Sequence, residues 1–354
     1  MSNRIGIVTL HGRFNYGNRL QAYAVGRCWE KRGFSPEFLV LDRPDPLRHL
    51  KNIVRTTLGR DSSDPEKEMS RERLAAFDRF DSRMLTRRLN RVPDCLVDEY
   101  DLFSVGSDQV WNPLFIKGYE DWYFLKFARP EQRVAVAPSI GLSTLTDKQA
   151  AVITKGVEGF TSLSIREKRG AELIERLAGV KAEVLCDPTL TVSPEEWRLV
   201  SDASLVPESP YIFTYLLGGV GPSASAVLDF ASGGGDIPVV HVTDREKPTE
   251  PPAGPAELIA LIDHASHVVT DSFHAAVFSC LLETPLTIVN REGSVDMFSR
   301  LETLTSALGI EDKVYGGSSY DPMLAGRYDG VAEKIVSEHE RFETYLNGVL
   351  GSRR

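Results

Sequence analysis

Residues 266–280 read SHVVTDSFHAAVFSC. The run His267-Val268-Val269-Thr270 has the apolar, β-branched content of a short buried strand. It stops at Asp271-Ser272. Apolar residues then fall at Phe273, Val277 and Phe278, the spacing of a helix, with His274 in its first turn. A strand that feeds straight into a helix is half of a βαβ unit. Such units build parallel sheets whose ligands sit outside the C-terminal ends of the strands. The junction therefore predicts an α/β fold and also the level of that fold at which Asp271, Ser272 and His274 stand.

The same alternation runs along the chain. RIGIVTL, EFLVLD, YDLFSVG, RVAVAPS, SLSIRE and AEVLCDP read as strands, separated by helical patterns such as Asn18–Arg32, Asp147–Gly159 and Lys168–Ala178. A second series holds YIFTYLLGG, IPVVHVTD, AELIALIDHA, HVVTD, SFHAAVFSCLLE and PLTIVN. Between the two, SPEEWRLVSDASLVPESP is rich in Pro, Ser and acid and reads as a link. The expected organisation is two Rossmann-like doubly wound domains facing across a cleft. The first covers residues 1–192, with a basic helical insert at about 43–95, and the second covers 193–330. A last helix, 331–354, is expected to cross back to the first domain.

At 354 residues the chain is too long for one ordinary core. Its net charge of −9 argues against nucleic acid as a partner. Residues 43–91 nonetheless carry 13 Lys/Arg against 8 Asp/Glu. This basic run suits either a solvated helix face or an arm facing an anionic surface or a phosphorylated acceptor. Four cysteines lack CxxC spacing, which argues against a zinc ribbon or a disulfide framework. No apolar run is long enough to span a membrane, and no export signal is evident. The expected location is the cytoplasm, with peripheral attachment at the inner membrane face as a variant.

Candidate functional residues lie just after strands. In HGRFNYGNRLQAYAV (11–25), Gly12 and Gly17 permit a tight turn, and Asn15 or Asn18 can cap the helix. Its free N–H groups form an anion seat to which Arg13 or Arg19 adds charge. In GSDQVWNP (106–113), Ser107 is polar, Asp108 is a base, a hydroxyl acceptor or a cap, and Trp111 stacks or packs. SLSIRE ends in Arg166-Glu167, and Arg166 suits carboxylate or phosphate, or else an internal pair with a glutamate. His264, His267 and Asp263 lack the spacing of a metal motif, so no metal is expected. His274 suits general acid or base work, with a satisfied structural histidine as the alternative.

Taken in order, NYGNRLQAYAV, VGSDQVWNP, SLSIREKRGAELI, CDPTLTV and VVTDSFHAAVFS resemble the polysaccharide pyruvyl transferase family, from about Ile5 to Ile310. One departure is Ala275, where members commonly carry Gly. The resemblance implies a glycosyltransferase-B-like pair of domains. It also implies transfer of a pyruvyl group from phosphoenolpyruvate to two sugar hydroxyls as a ketal. No cofactor is implied, since phosphoenolpyruvate is a co-substrate, and the acceptor is a glycan or other sugar-containing molecule, sometimes lipid-linked. On this basis Arg166 and Arg300 are the donor-binding candidates, with Arg13 and Arg291 behind them. Asn15, Gly17, Asn18, Ser107 and Ser272 form the rest of the binding set. His274 is the expected acid, Asp108 or Asp271 the expected base, and Asp271 the alternative partner that orients His274. A nucleotide-sugar-dependent glycosyltransferase of the same fold, or a non-catalytic binding protein, is the alternative reading.

Overall fold

The structure, a computed structural model, describes residues 3–12, 15–42, 69–291 and 299–351. In the first half lie β1 (Asn3–Val8), α1 (Tyr16–Glu30), β2 (Phe34–Leu41), α2 (Arg71–Asp81), β3 (Thr86–Leu89), β4 (Leu102–Val105) and β5 (Arg133–Ala135). They are followed by α3 (Asp147–Val157), β6 (Ser164–Ile165), α4 (Lys168–Ala178) and β7 (Glu183–Val184). After α5 (Pro194–Val200), the second half holds β8 (Ile212–Tyr215), α6 (Pro222–Ala231), β9 (Val239–Val242), α7 (Pro255–Asp263), β10 (His267–Thr270), α8 (Phe273–Leu282), β11 (Leu286–Ile288) and α9 (Ser299–Leu308). The long α10 (Val331–Gly351) is the final element of the described residues.

The first sheet has the order β3-β2-β1-β4-β5 and the second β11-β10-β8-β9, with every pairing parallel. Parallel strands covered on both faces need continuous apolar runs. LFSV in β4 is accordingly buried at all four residues. The short pair β6–β7 adjoins the end of β5 through Arg166 N–H donating to Pro138 O and Ala137 N–H donating to Ser164 Oγ.

Three features differ in detail from the sequence expectation. First, the part of the basic insert at 43–68 lies outside the described residues. Its described remainder is not helical throughout: α2 stops at Asp81, and Thr86–Leu89 pairs with β2 as the sheet's edge strand. TRRL buries Leu89 and leaves Arg88 exposed, and charge on an edge is a common way to blunt further pairing. Leu85, which fits the helical spacing, is 67% exposed. Second, the acidic link contains a helix. Ser193 and Glu196 form a capping box, Pro194 takes the first turn, and Trp197 is buried with its indole N–H donating to Thr189 O. Third, the largest apolar cluster runs through both halves, from Ile5, Trp29 and Phe38 to Ile259, Phe278 and Leu346, beside a second cluster confined to the first half and a third confined to the second.

Helix α10 packs on the first half. Tyr345 Oη donates to Ala135 O at 2.8 Å, Glu343 pairs with Arg32 at 2.7 Å, and Phe342 and Leu346 are fully buried. Helix α2 bridges the halves from the other side. Ser70, its cap, bonds Glu246 twice, Arg79 pairs with Glu257, and the buried Arg73 reaches Glu250 and Thr243 O.

Candidate active site

The end of β4 sets the geometry. Gly106 has φ 116°, and a Cβ there would stand 2.2 Å from Val136 O, so only glycine fits. The Gly106–Ser107 peptide is cis, and Asp108 takes the left-handed region at φ 60°. Gln21, fully buried on α1, accepts from Ser107 N–H at 2.7 Å and donates to Thr9 Oγ1. Ser107 Oγ donates to Ala137 O at 2.6 Å and lies 3.2 Å from Asp187 Oδ2. The turn is thus anchored by backbone and amide contacts, which leaves the Asp108 side chain to project from a fixed base.

Two guanidinium groups meet that side chain. Arg166, at the end of β6, donates through Nη2 to Asp108 Oδ1 at 2.9 Å and through Nη1 to Asp187 Oδ2 at 2.5 Å. Arg300, at the start of α9 in the second half, brings Nη1 to 3.6 Å from the same Asp108 oxygen. Phe273 lies under both, its ring centroid 4.5 Å from Arg166 Cζ and 6.0 Å from Arg300 Cζ. Among the described residues both guanidinium Nε atoms are buried without a hydrogen-bond partner, so donor capacity remains for a ligand. Burial, reinforced by the like charge of Arg166, pushes Arg300 down to about 10. Burial alone would raise the carboxyls of Asp108 and Asp187. For Asp108 the charge of Arg166, with His274 and Arg300, outweighs it; for Asp187 His274 and Arg166 do so, and both groups end below the usual range.

His274 occupies the first turn of α8 and is buried. Its Nε2 faces Asp187 Oδ2 at 3.6 Å. On the other side of the ring, a Cβ on Gly17 would stand 2.1 Å from Nδ1. Gly17 therefore provides the clearance in which the imidazole sits. Asn15 caps α1 by accepting from Asn18 N–H at 3.1 Å, while among the described residues the buried Asn18 Oδ1 has no partner. Arg13 lies outside the described residues.

Asp271 has a different place from the one expected. It accepts from the backbone N–H groups of Leu217 and Gly218 at 2.7 Å each and pairs with Arg291 Nε at 3.2 Å. The carboxylate that pairs with His274 is Asp187, so Asp271 is corrected from orienter of His274 to brace of the loop after β8. Ser272 is buried at the N-cap of α8 without a side-chain cap bond. Trp111 packs against Phe124, and its indole N–H donates to Tyr123 O, which is the packing alternative.

Sequence reasoning passed over Asp187, Gln21 and Phe273 as site residues. The available signal for Asp187 was its position shortly after β7, past Leu185 and Cys186, in CDPTLTV. Its Oδ1 accepts from both the N–H and the hydroxyl of Thr189, at 3.0 and 2.8 Å. His264 caps α7 against Ala260 O, and His267 contacts Thr287 Oγ1. Among the described residues no three His, Cys, Asp or Glu side chains converge as a metal site, and no helix is long and apolar enough to cross a membrane.

Comparison with known proteins bears on this arrangement. A putative UDP-N-acetylglucosamine 2-epimerase from Listeria monocytogenes superposes at a TM-score of 0.50 and 6% identity, covering 97% of this chain and 91% of that one. The UDP-GlcNAc 2-epimerase of Methanocaldococcus jannaschii gives 0.50 at 10% identity, with 95% and 91% covered. These likenesses show the fold, two Rossmann-like domains of the glycosyltransferase-B type. No curated protein matches the sequence. Residues 15–293 match the family described as polysaccharide pyruvyl transferase, and that span includes Gly17, Asp108, Arg166, Asp187 and His274. The chain belongs to the polysaccharide pyruvyl transferase family.

Proposed function

We propose that the protein transfers a pyruvyl group from phosphoenolpyruvate to two hydroxyls of a sugar-containing acceptor, forming a ketal and releasing inorganic phosphate. The observation that carries this reading is the convergence of Arg166 and Arg300, one from each half, beside His274. The donor brings a carboxylate and a phosphate into a protein of net charge −9, so its binding must come from local guanidinium groups. Two such groups with unused buried N–H donors supply that need.

In this reading His274 protonates the donor CH2 as the first sugar hydroxyl adds to C2. The hydroxyl proton passes to Asp108, because Asp271 is committed to backbone N–H groups and Arg291. The second hydroxyl then bonds to C2 as the C–O bond to phosphate breaks, its electron pair leaving with phosphate. Of the two hydroxyl protons, one replaces that given to the methyl group and the other leaves with phosphate. Arg166 and Arg300 hold the donor's anionic oxygens. Asp187, fixed by Thr189, faces the imidazole Nε2 across 3.6 Å as a counter-charge, and among the described residues that nitrogen has no hydrogen-bond partner, which leaves it to deliver the proton.

Phosphate release from phosphoenolpyruvate with a panel of glycan acceptors, combined with product mass, tests the reading. His274→Ala should lose about 10²–10⁴ in turnover, the usual share of a general acid. Full activity in that variant removes His274 from the role. Protection against heat by a nucleoside diphosphate but not by phosphoenolpyruvate would favour the glycosyltransferase alternative.

A further inference from the structure

Two guanidinium groups, Arg166 and Arg300, face two carboxylates, Asp108 and Asp187, in one buried cluster. The guanidinium and carboxylate charges offset one another, and the buried Glu167, which acts on both arginines, sets a further negative charge against the one His274 carries as the proposed acid. An anionic ligand gains little from a neutral cluster unless one carboxylate withdraws from the cations. The two are not equally able to do so. Asp187 is fixed on both oxygens, with Thr189 N–H and hydroxyl on Oδ1 and Arg166 on Oδ2, where Ser107 Oγ also approaches. For Asp108 the backbone is what is fixed: its carbonyl accepts from Val110 and Ser139 N–H groups at 2.8 and 2.7 Å. Among the described residues its carboxylate is held through Oδ1 alone, by Arg166 at 2.9 Å and Arg300 at 3.6 Å. Its release asks for a side-chain rotation, while these backbone hydrogen bonds hold the turn.

We propose that Asp108 is an internal stand-in for the donor anion: its carboxylate fills the position between Arg166 and Arg300 in the empty enzyme, donor binding displaces it, and only then does it serve as base toward the acceptor. The identity of the displacing anion rests on the phosphoenolpyruvate reading; the displacement itself requires only an anion. The arrangement imposes an order on the reaction. Before the donor arrives, the base is paired with two cations and is a poor proton acceptor. Once the donor takes over those cations, the base is released beside the acceptor. Donor therefore binds productively before acceptor. The apparent donor affinity is also reduced by the fraction of molecules in which Asp108 fills the seat.

Calorimetric titration of the full chain with phosphoenolpyruvate and, separately, with inorganic phosphate tests the idea on wild type, Asp108→Asn and Asp108→Glu. Asp108→Asn should bind both anions about tenfold more tightly or better, while its turnover falls. Asp108→Glu keeps the charge and should stay within about threefold of wild type in affinity. The proposal is overturned if Asp108→Asn binds neither anion more tightly. If phosphate binding tightens but phosphoenolpyruvate binds no better than phosphate in any form, the displacement stands and the donor assignment falls. Should Asp108→Asn fail to fold, a structure of wild type with phosphoenolpyruvate decides. An Arg166–Asp108 contact still at 2.9 Å with the donor bound overturns the proposal, and a separation beyond about 4 Å supports it.

Discussion

Gly17 stands where any side chain would collide with the proposed acid. A Cβ there would lie 2.1 Å from His274 Nδ1, and the atoms in its way belong to an imidazole confined on its other side by Asp187. Alanine in a helix is ordinarily preferred to glycine by about 0.5–1 kcal/mol, so propensity alone makes Gly17→Ala harmless. The expected result is instead a turnover loss of about 10²-fold, the scale of a misplaced catalytic group. Phosphate release measures it, and unchanged turnover would show that the ring has room to move. His267 gives a prediction on stability. Burial, with Lys313 nearby, pushes its pKa from 6.5 down to about 4. The unfolded chain then takes up the proton first as pH falls. Stability present above about pH 6.5 is therefore lost progressively toward about pH 4. Urea midpoints across that window should fall less steeply in His267→Asn than in wild type; parallel slopes would refute the assignment. At this scale the sequence shows which residues follow strands but not which of them meet. Asp271 lies three positions from His274 yet is drawn to the loop after β8, whereas Asp187 arrives from the other half of the chain. Pairing of that kind depends on how the halves pack, which no local pattern records.

Among the elements, the strand–helix alternation was legible because parallel strands buried on both faces leave continuous apolar runs and some of the helices between them, α1 and α3 among them, carry side-chain caps. The segment from Ser70 to Leu89 was less legible. Its apolar residues keep helical spacing past Asp81, yet the chain turns there and Thr86–Leu89 joins the sheet. Pairing with β2 at an open edge overrides a weak periodic signal. The same segment explains why α2 buries an arginine. Arg73 is fully buried, with Glu250 at 3.8 Å, Thr243 O as an acceptor, and the Tyr16 ring centroid 5.1 Å from its Cζ. Arg73→Ala would leave Glu250 buried without its cation. Breaking such a pair costs about 3–5 kcal/mol. Urea unfolding should report that loss; a change below about 1 kcal/mol would mean that Glu250 is satisfied by Thr243 N–H and hydroxyl alone. Helix α2 touches the second half through Arg73, Arg79 and its cap Ser70, so the same variant also tests whether the insert braces the cleft.

Across the whole molecule, the two main sheets are separate but the largest apolar cluster spans both halves. Trp197, in the link, packs its ring 4.8 Å from Phe278 and donates to Thr189 O, which ties the connection to the second half and to the loop that carries Asp187. Helix α10, the last in sequence, returns to bury Phe342 and Leu346 and to bond Ala135 O through Tyr345. Deleting it would expose apolar surface on the first half, at about 25 cal/mol per Å² uncovered. Halves that share a core in this way should unfold together, although chains of this length often unfold domain by domain. Tryptophan fluorescence and far-UV circular dichroism should therefore give coincident urea transitions, the usual mark of a single cooperative step. A chain ending at Gly330 should lose that coincidence and unfold at lower urea. Two separated transitions in the intact protein would show instead that each sheet carries its own stability. The shared core would then be a contact surface between independent domains, able to part and admit a large acceptor.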